Sequence, residues 1–302
     1  MLTPDPAVTY NVGHEMPLGI FIAIYFYMTG LSAGSFILST MAYGLGFKKF
    51  KPLGKVGIVM ATLLLVLAPL NLIADLGQPL RFWYLFLYLN PTSPITWGSF
   101  LLTLYPINCL IYGYFMFKGN ERLTKMFGLI GIPLAISVHG YTGFILALGK
   151  ARALWNTALM PTYFLVSAMV SGIALMILTV MIKDRFFSSQ RRVNRELVSG
   201  LSKILVGTII LDLFLAVSDV LVLLTADAEA REAAMLLLRG DLRPYFIGVE
   251  VLLGALVPLL LLIFPVTRRN PAVVGVASVL VMVGIVTMRY IMVIGGQMIP
   301  LS

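Results

Sequence analysis

The chain has 302 residues, 59% of them apolar and 12% charged, with a mean hydropathy of +0.95. Soluble domains carry about 25% charged residues, so this composition belongs to a membrane protein. One cysteine, Cys109, and two histidines exclude an iron–sulfur cluster, which needs about four thiolates, and a thiolate-rich zinc site.

The N-terminal segment MLTPDPAVTYNVG has no basic n-region and contains two prolines, so it does not fit a signal peptide and is expected to be a mature tail at the membrane interface. At about 20 apolar residues per span of about 30 Å, the sequence predicts eight transmembrane helices. They are placed at 17–46, 54–74, 96–117, 125–149, 159–182, 203–225, 244–265 and 272–297. The expected fold is an all-α integral membrane bundle, one domain filling residues 1–302.

The net charge of +9 reports topology rather than nucleic-acid binding. Fifteen of the 22 basic residues fall around the connections after the first, third, fifth and seventh spans, opposed there only by Glu121, Asp184 and Glu196. The N-terminal tail and the remaining connections hold six basic and seven acidic residues. Excess Lys and Arg marks the cytoplasmic side, so both termini are expected outside, in the cytoplasmic (inner) membrane.

The outer side collects polar and aromatic residues far apart in sequence. Tyr10, Asn11 and His14 precede the first span, and Asp75-Leu-Gly-Gln-Pro-Leu-Arg81-Phe-Trp83 follows the second. Asn90-Pro-Thr-Ser-Pro-Ile-Thr-Trp97 leads into the third, and Gly295-Gly-Gln297 ends the eighth. Asn11 and His14 are three apart, so on a helix an amide and an imidazole project from one face. His14 is either simply solvated or, with an ordinary pKa of about 6.5, a proton-exchanging group. Trp83, Tyr84 and Trp97 fit an interfacial belt.

His139-Gly-Tyr141-Thr-Gly143 interrupts the apolar run of the fourth span. The Tyr141 hydroxyl there requires either a ligand or a neighbouring helix, because an unpaired polar group in apolar surroundings is costly. Gly140 and Gly143 would allow close packing. Asp212, Asp219, Glu250 and Arg289 fall inside spans. Each mid-span charge costs about 2.5 to 3.5 kcal/mol on insertion scales, so all four are expected to face the bundle interior, either as an Arg289–acid pair or as a path for protons or ions. Gly30-Leu-Ser-Ala-Gly34 reads as a small-residue packing motif. The basic run from Arg185 to Arg195 reads as a solvated loop or, alternatively, a contact for anionic lipid. His14 and His139 cannot share a haem, since they lie about 15 Å apart in depth.

At Asn11-Val-Gly-His14, Asp75 to Trp83, Asn90-Pro-Thr-Ser-Pro, His139-Gly-Tyr141-Thr-Gly143, and Arg289 with Gly295-Gly-Gln297, the chain resembles the membrane subunits of the polysulfide reductase family, the NrfD-like proteins. The resemblance covers nearly the whole chain. It implies a quinone, menaquinone above all, bound near the outer face with Asn11, His14 and Tyr141 at its head group. It also implies an extracytoplasmic ferredoxin-like iron–sulfur subunit and a catalytic subunit, a molybdopterin enzyme or a hydrogenase, with lipid around the chain. No haem, iron–sulfur cluster or metal is expected in this chain, and no nucleic acid.

On this basis His14 is expected to bond one quinone carbonyl and exchange its proton, Asn11 to orient the same side, and Tyr141 to donate to the opposite carbonyl. Asp75, Arg81 and His139 are expected to support these groups or pass protons, Asp75 by holding the His14 tautomer. Asp212, Asp219, Glu250 and Arg289 are expected to line a path towards the cytoplasm. Three rival functions use the same residues: a proton or ion transporter, an anchor without quinone chemistry, and a haem cytochrome.

Overall fold

The computed structural model describes residues 18–186 and 194–298. Among them every regular element is helical, and eight helices are long and apolar enough to cross a membrane. They are α1 (Ile20–Tyr43), α2 (Leu53–Asp75), α3 (Pro94–Lys118), α4 (Glu121–Ala147), α5 (Met160–Phe186), α6 (Arg195–Thr225), α7 (Pro244–Ile263) and α8 (Pro271–Val293). The chain is a multi-pass, all-α integral membrane protein.

Helix ends follow from local chemistry. Asn120, Asn194 and Asn270 accept from the N–H groups of Leu123, Leu197 and Ala272 at 3.1, 3.1 and 3.0 Å, satisfying donors that a helix start leaves free. Asn194 thereby starts α6 well before the expected residue 203. The added turns carry Arg195, Glu196 and Lys203 and are too polar to register as membrane span. Gly119, at φ +76°, ends α3 in the left-handed conformation that glycine adopts freely, so α4 can turn back at once. One helix escaped the sequence: Ala228–Leu238, capped by Asp227, which packs Ala230, Ala233 and Ala234 into the core. Its short length and mixed polarity hid it from a search for spans.

Helices α1 to α4 pack as one unit and α5 to α8 as another, and α1, α4 and α8 all meet α5. Helix α1 is central: 67% of its apolar window is buried, against 28% for α2 and for α3. A Cβ on Gly34 would fall 2.8 Å from Gly172 Cα, so the Gly30 to Gly34 motif packs α1 on α5. Gly254 of α7 faces Gly284 of α8 in the same way. Gly143 lets α4 approach the Met160 carbonyl, whereas Gly140 faces open space and is not a packing position.

Helix α7 is π-helical from Pro244 to Leu256 and α-helical thereafter. Such wide turns re-aim side chains and are often found at functional sites. Glu250 lies midway along it.

Candidate functional site

The start of α1, the ends of α2 and α8, and the α4–α5 connection meet at the end of the bundle opposite the basic connections. Tyr10, Asn11 and His14 lie outside the described residues. Leu18, the first residue described, follows His14 by four positions, and its surroundings show how the chain is fixed there. Gln297 is fully buried; its Nε2 donates to the Leu18 carbonyl at 2.9 Å and the Val293 carbonyl at 2.8 Å, and its Oε1 accepts from Leu18 N–H at 3.0 Å. Asp75 Oδ2 accepts from Gly19 N–H at 3.1 Å. Arg152 donates to the Gln297 carbonyl at 3.2 Å, and Trp155 Nε1 donates to the Met292 carbonyl.

The glycines of Gly295-Gly-Gln297 have a packing reason. A Cβ on Gly296 would strike the Trp155 indole and one on Gly295 would strike Leu242. The resulting tight fold-back sets Gln297 beside Leu18. Asp75 thus has the α1 backbone as its observed partner, a positioning role that the sequence did not reveal. Arg81 is exposed on the turn Pro79–Arg81. Trp83 and Trp97 are also exposed, their N–H groups donating locally to the Leu80 and Pro91 carbonyls, as suits an interfacial belt.

Tyr141 sits half-buried on α4, about 9 Å by helical rise from Ala147. It packs against Gly98 of α3, where a Cβ would collide with its ring and hydroxyl. Its hydroxyl makes no hydrogen bond to another described residue. The buried Tyr25 of α1 is its electrostatic neighbour. Neither Gly98 nor Tyr25 stood out in the sequence, since a lone glycine or tyrosine in a span carries no spacing signal.

Deeper on α4, His139 is fully buried with Nε2 2.8 Å from the Phe164 carbonyl of α5. Arg289 of α8, 1% exposed, donates through Nη2 to the same carbonyl at 3.0 Å and to Ser167 Oγ at 2.6 Å. That Nη2 lies 3.2 Å from His139 Nε2, and the guanidinium stacks on the Phe164 ring with Cζ 3.8 Å from the centroid. An Nε2–H tautomer suits this arrangement, because the carbonyl has two lone pairs and accepts both donors. The expected Arg289–acid pair does not form: among the described residues no carboxylate lies within 4.0 Å of it, and the one ion pair is Lys49–Glu196 at 3.5 Å. A carbonyl, a hydroxyl and an aromatic face receive the charge instead, which suits a planar, weakly hydrated guanidinium.

Asp212 and Asp219 of α6 and Glu250 of α7 are buried, as insertion energetics demanded. Tyr163 Oη donates to Glu250 Oε1 at 2.7 Å. Tyr163, Asp212 and Glu250 line a cavity of about 10 Å³, room for roughly one water. Thr157 adjoins Asp219. One oxygen of each of these three carboxyls, and Nε and Nη1 of Arg289, have no partner among the described residues. Helical rise puts Asp219 about 9 Å and Asp212 about 20 Å from the end of α6 at Thr225. Beyond Asp212, towards the basic end, this half of the core is apolar, with Ile173, Ile177, Leu201 and Leu205. The hydroxyls there, Ser202 and Ser278, bond carbonyls of their own helices. Among the described residues no cluster of His, Cys, Asp or Glu is arranged to hold a metal ion.

A model of the polysulphide reductase NrfD family matches residues 9–301. A selenate reductase subunit of Mesobacillus selenatarsenatis is 30% identical over 93% of this chain and 74% of its own. The Hdr-like menaquinol oxidoreductase integral membrane subunit of Archaeoglobus fulgidus is 29% identical over 96% of this chain and 73% of its own. The menaquinone reductase integral membrane subunit of Nitratidesulfovibrio vulgaris is 25% identical over 93% and 73%. The fold of eight spans, the motifs that order its outer end and these matches lead to one conclusion: the chain belongs to the polysulphide reductase NrfD family.

Proposed function

We propose that this chain is the quinone-reactive membrane subunit of a respiratory oxidoreductase. It exchanges two electrons and two protons with menaquinone near the extracytoplasmic end, and trades the electrons with a docked ferredoxin-like iron–sulfur subunit that serves a catalytic subunit. The observation that carries this is the half-buried Tyr141 hydroxyl, without a hydrogen-bond partner, at the end of the bundle where Gln297 and Asp75 hold the start of α1. Relatives named for menaquinol and menaquinone chemistry support it.

A quinone is apolar and enters laterally from the bilayer, and a few placed polar groups fix its carbonyls. His14 bonds one carbonyl and exchanges its proton, Asn11 orients that side, and Tyr141 donates to the other. Reduced quinone oxygen is basic, so donors aimed at it stabilise the charge that develops during reduction. Asp75 and Gln297 position the segment that bears His14, and Arg81 faces the aqueous side where protons leave. His139, Arg289, Tyr163, Glu250, Asp212 and Asp219 form a proton relay within the same half of the bundle, with the small cavity between Asp212 and Glu250 admitting one water.

The test uses the purified complex with His14→Ala and, separately, Tyr141→Phe. Electrons are supplied either by a menaquinol analogue or by a dye that reaches the catalytic subunit directly. Quinol-linked turnover should be lost in both variants while dye-linked turnover persists. Wild-type quinol rates in an assembled variant would remove that residue from the site. For the relay, Asp219→Asn combined with Glu250→Gln should change the protons taken up per quinone; an unchanged ratio would leave the acids a structural role.

A further inference from the structure

We infer that the groove between α2 and α3 at the basic end binds one anionic phospholipid, with an acyl chain in the groove and the phosphate between Lys55 and Lys118. The groove, of about 780 Å³, is lined by Ile58, Val59, Leu63, Leu110, Tyr114 and Phe117 among others. Its volume falls in the roughly 300 to 1,000 Å³ range of sites that enclose a small molecule. From Lys55 to Leu63 the rise of α2 is about 12 Å, close to half of the roughly 30 Å hydrocarbon core, so the groove has the depth of one leaflet.

The rim supplies the charge. Lys55 Nζ lies 5.4 Å from the centroid of the Phe117 ring, and Lys118 Nζ lies 4.7 Å from that of Tyr114. Tyr114 and Phe117 are three residues apart on α3, hence on one face, and both rings line the groove. The two ammonium groups are therefore held over the aromatic wall of the same groove. A ring face attracts a cation but leaves its three N–H donors for an acceptor. Neither lysine forms an ion pair with a carboxylate among the described residues. Lys51, Arg122 and Lys125 are exposed at the same end, against Glu121. A phosphate ester is the acceptor that fits such a rim.

The groove wall itself argues for an acyl chain rather than a polar head. Thr62 turns its hydroxyl to its own helix, onto the Ile58 carbonyl at 2.8 Å. Cys109 is buried at the groove floor. Polar recognition is thus confined to the lysine rim, at the depth where a phospholipid carries its phosphate.

The test is native mass spectrometry of the full chain in its complex, released from nanodiscs of mixed phosphatidylcholine and phosphatidylglycerol. The wild type should retain one phosphatidylglycerol in preference to phosphatidylcholine. Each lysine near a charged membrane surface gives about a fivefold preference, so Lys55→Gln with Lys118→Gln should reduce it about thirtyfold. Val59→Trp with Leu110→Trp, both at lipid-exposed positions, should expel the lipid while the lysines remain. Lys183→Gln with Arg185→Gln, at the basic end but on α5, should leave the preference unchanged. The assignment is overturned if the preference survives loss of Lys55 and Lys118, or falls equally in the α5 variant. It is also overturned if the tryptophans release a quinone, phosphatidylcholine or a second copy of the chain instead of phosphatidylglycerol.

Discussion

Replacing Gln297 with leucine keeps the volume of a fully buried side chain and removes both hydrogen bonds that tie it to Leu18. Each such bond contributes about 1 kcal/mol net, so the start of α1 should loosen by about 2 kcal/mol, a factor of about 30 in its local opening equilibrium. Hydrogen exchange at the Leu18 amide reads this directly, and it should accelerate by that factor while amides around Phe164 keep their protection. Because His14 is four residues upstream of Leu18, quinol-linked turnover should fall while dye-linked turnover stays. Asp75→Asn retains an oxygen for Gly19 N–H but loses its charge, so Gly19 exchange should rise only about fivefold, the difference of about 1 kcal/mol between charged and neutral acceptors. Unchanged Leu18 exchange in Gln297→Leu, or acceleration spread equally over the core, would refute the idea that this clamp acts locally.

Tyr141→Phe should lower quinol turnover on the order of a hundredfold, the effect of losing one donor to a developing oxyanion. Gly98→Ala should approach the same loss in an intact fold, because the added methyl displaces the Tyr141 ring rather than backbone; thermal midpoints and turnover of the two variants check this. Arg289→Lys should destabilise the protein by about 3 kcal/mol in detergent unfolding, since an ammonium cannot both bond the Phe164 carbonyl with Ser167 and stack on the ring. A double-mutant cycle of Tyr163→Phe and Glu250→Gln should return a coupling of about 1 kcal/mol, as measured for interhelical hydrogen bonds in membranes; additive effects would mean that the pair does not act together.

The eight spans were legible because a bilayer leaves backbone polar groups only helices to satisfy them within one chain segment, and length and hydropathy follow directly. Burial of Asp212, Asp219, Glu250 and Arg289 was legible for the same reason: lipid has no place for a charge. Partners were not. The choice of the Phe164 carbonyl and Ser167 over an acid for Arg289 depends on how α5 is rotated between α4 and α8, which hydropathy leaves undetermined. Gln297, Arg152 and Trp155 act through tertiary contacts with residues 18, 297 and 292, and no local spacing announces contacts of that range. The helix Ala228–Leu238 was hidden by its alanine-rich sequence, which is ordinary in soluble proteins and too short to span a membrane.

The Phe164 carbonyl is shared by His139 from one four-helix unit and Arg289 from the other. Gly34 and Gly172 meet along the same seam with no side chain between them. Transporters of the rocking type alternate by swinging one helical repeat against another about a midplane site. Here such a swing would tear a guanidinium off its ring and carbonyl and leave both bare in hydrocarbon, so the molecule is built as a stationary frame, past which electrons and protons move while the helices do not.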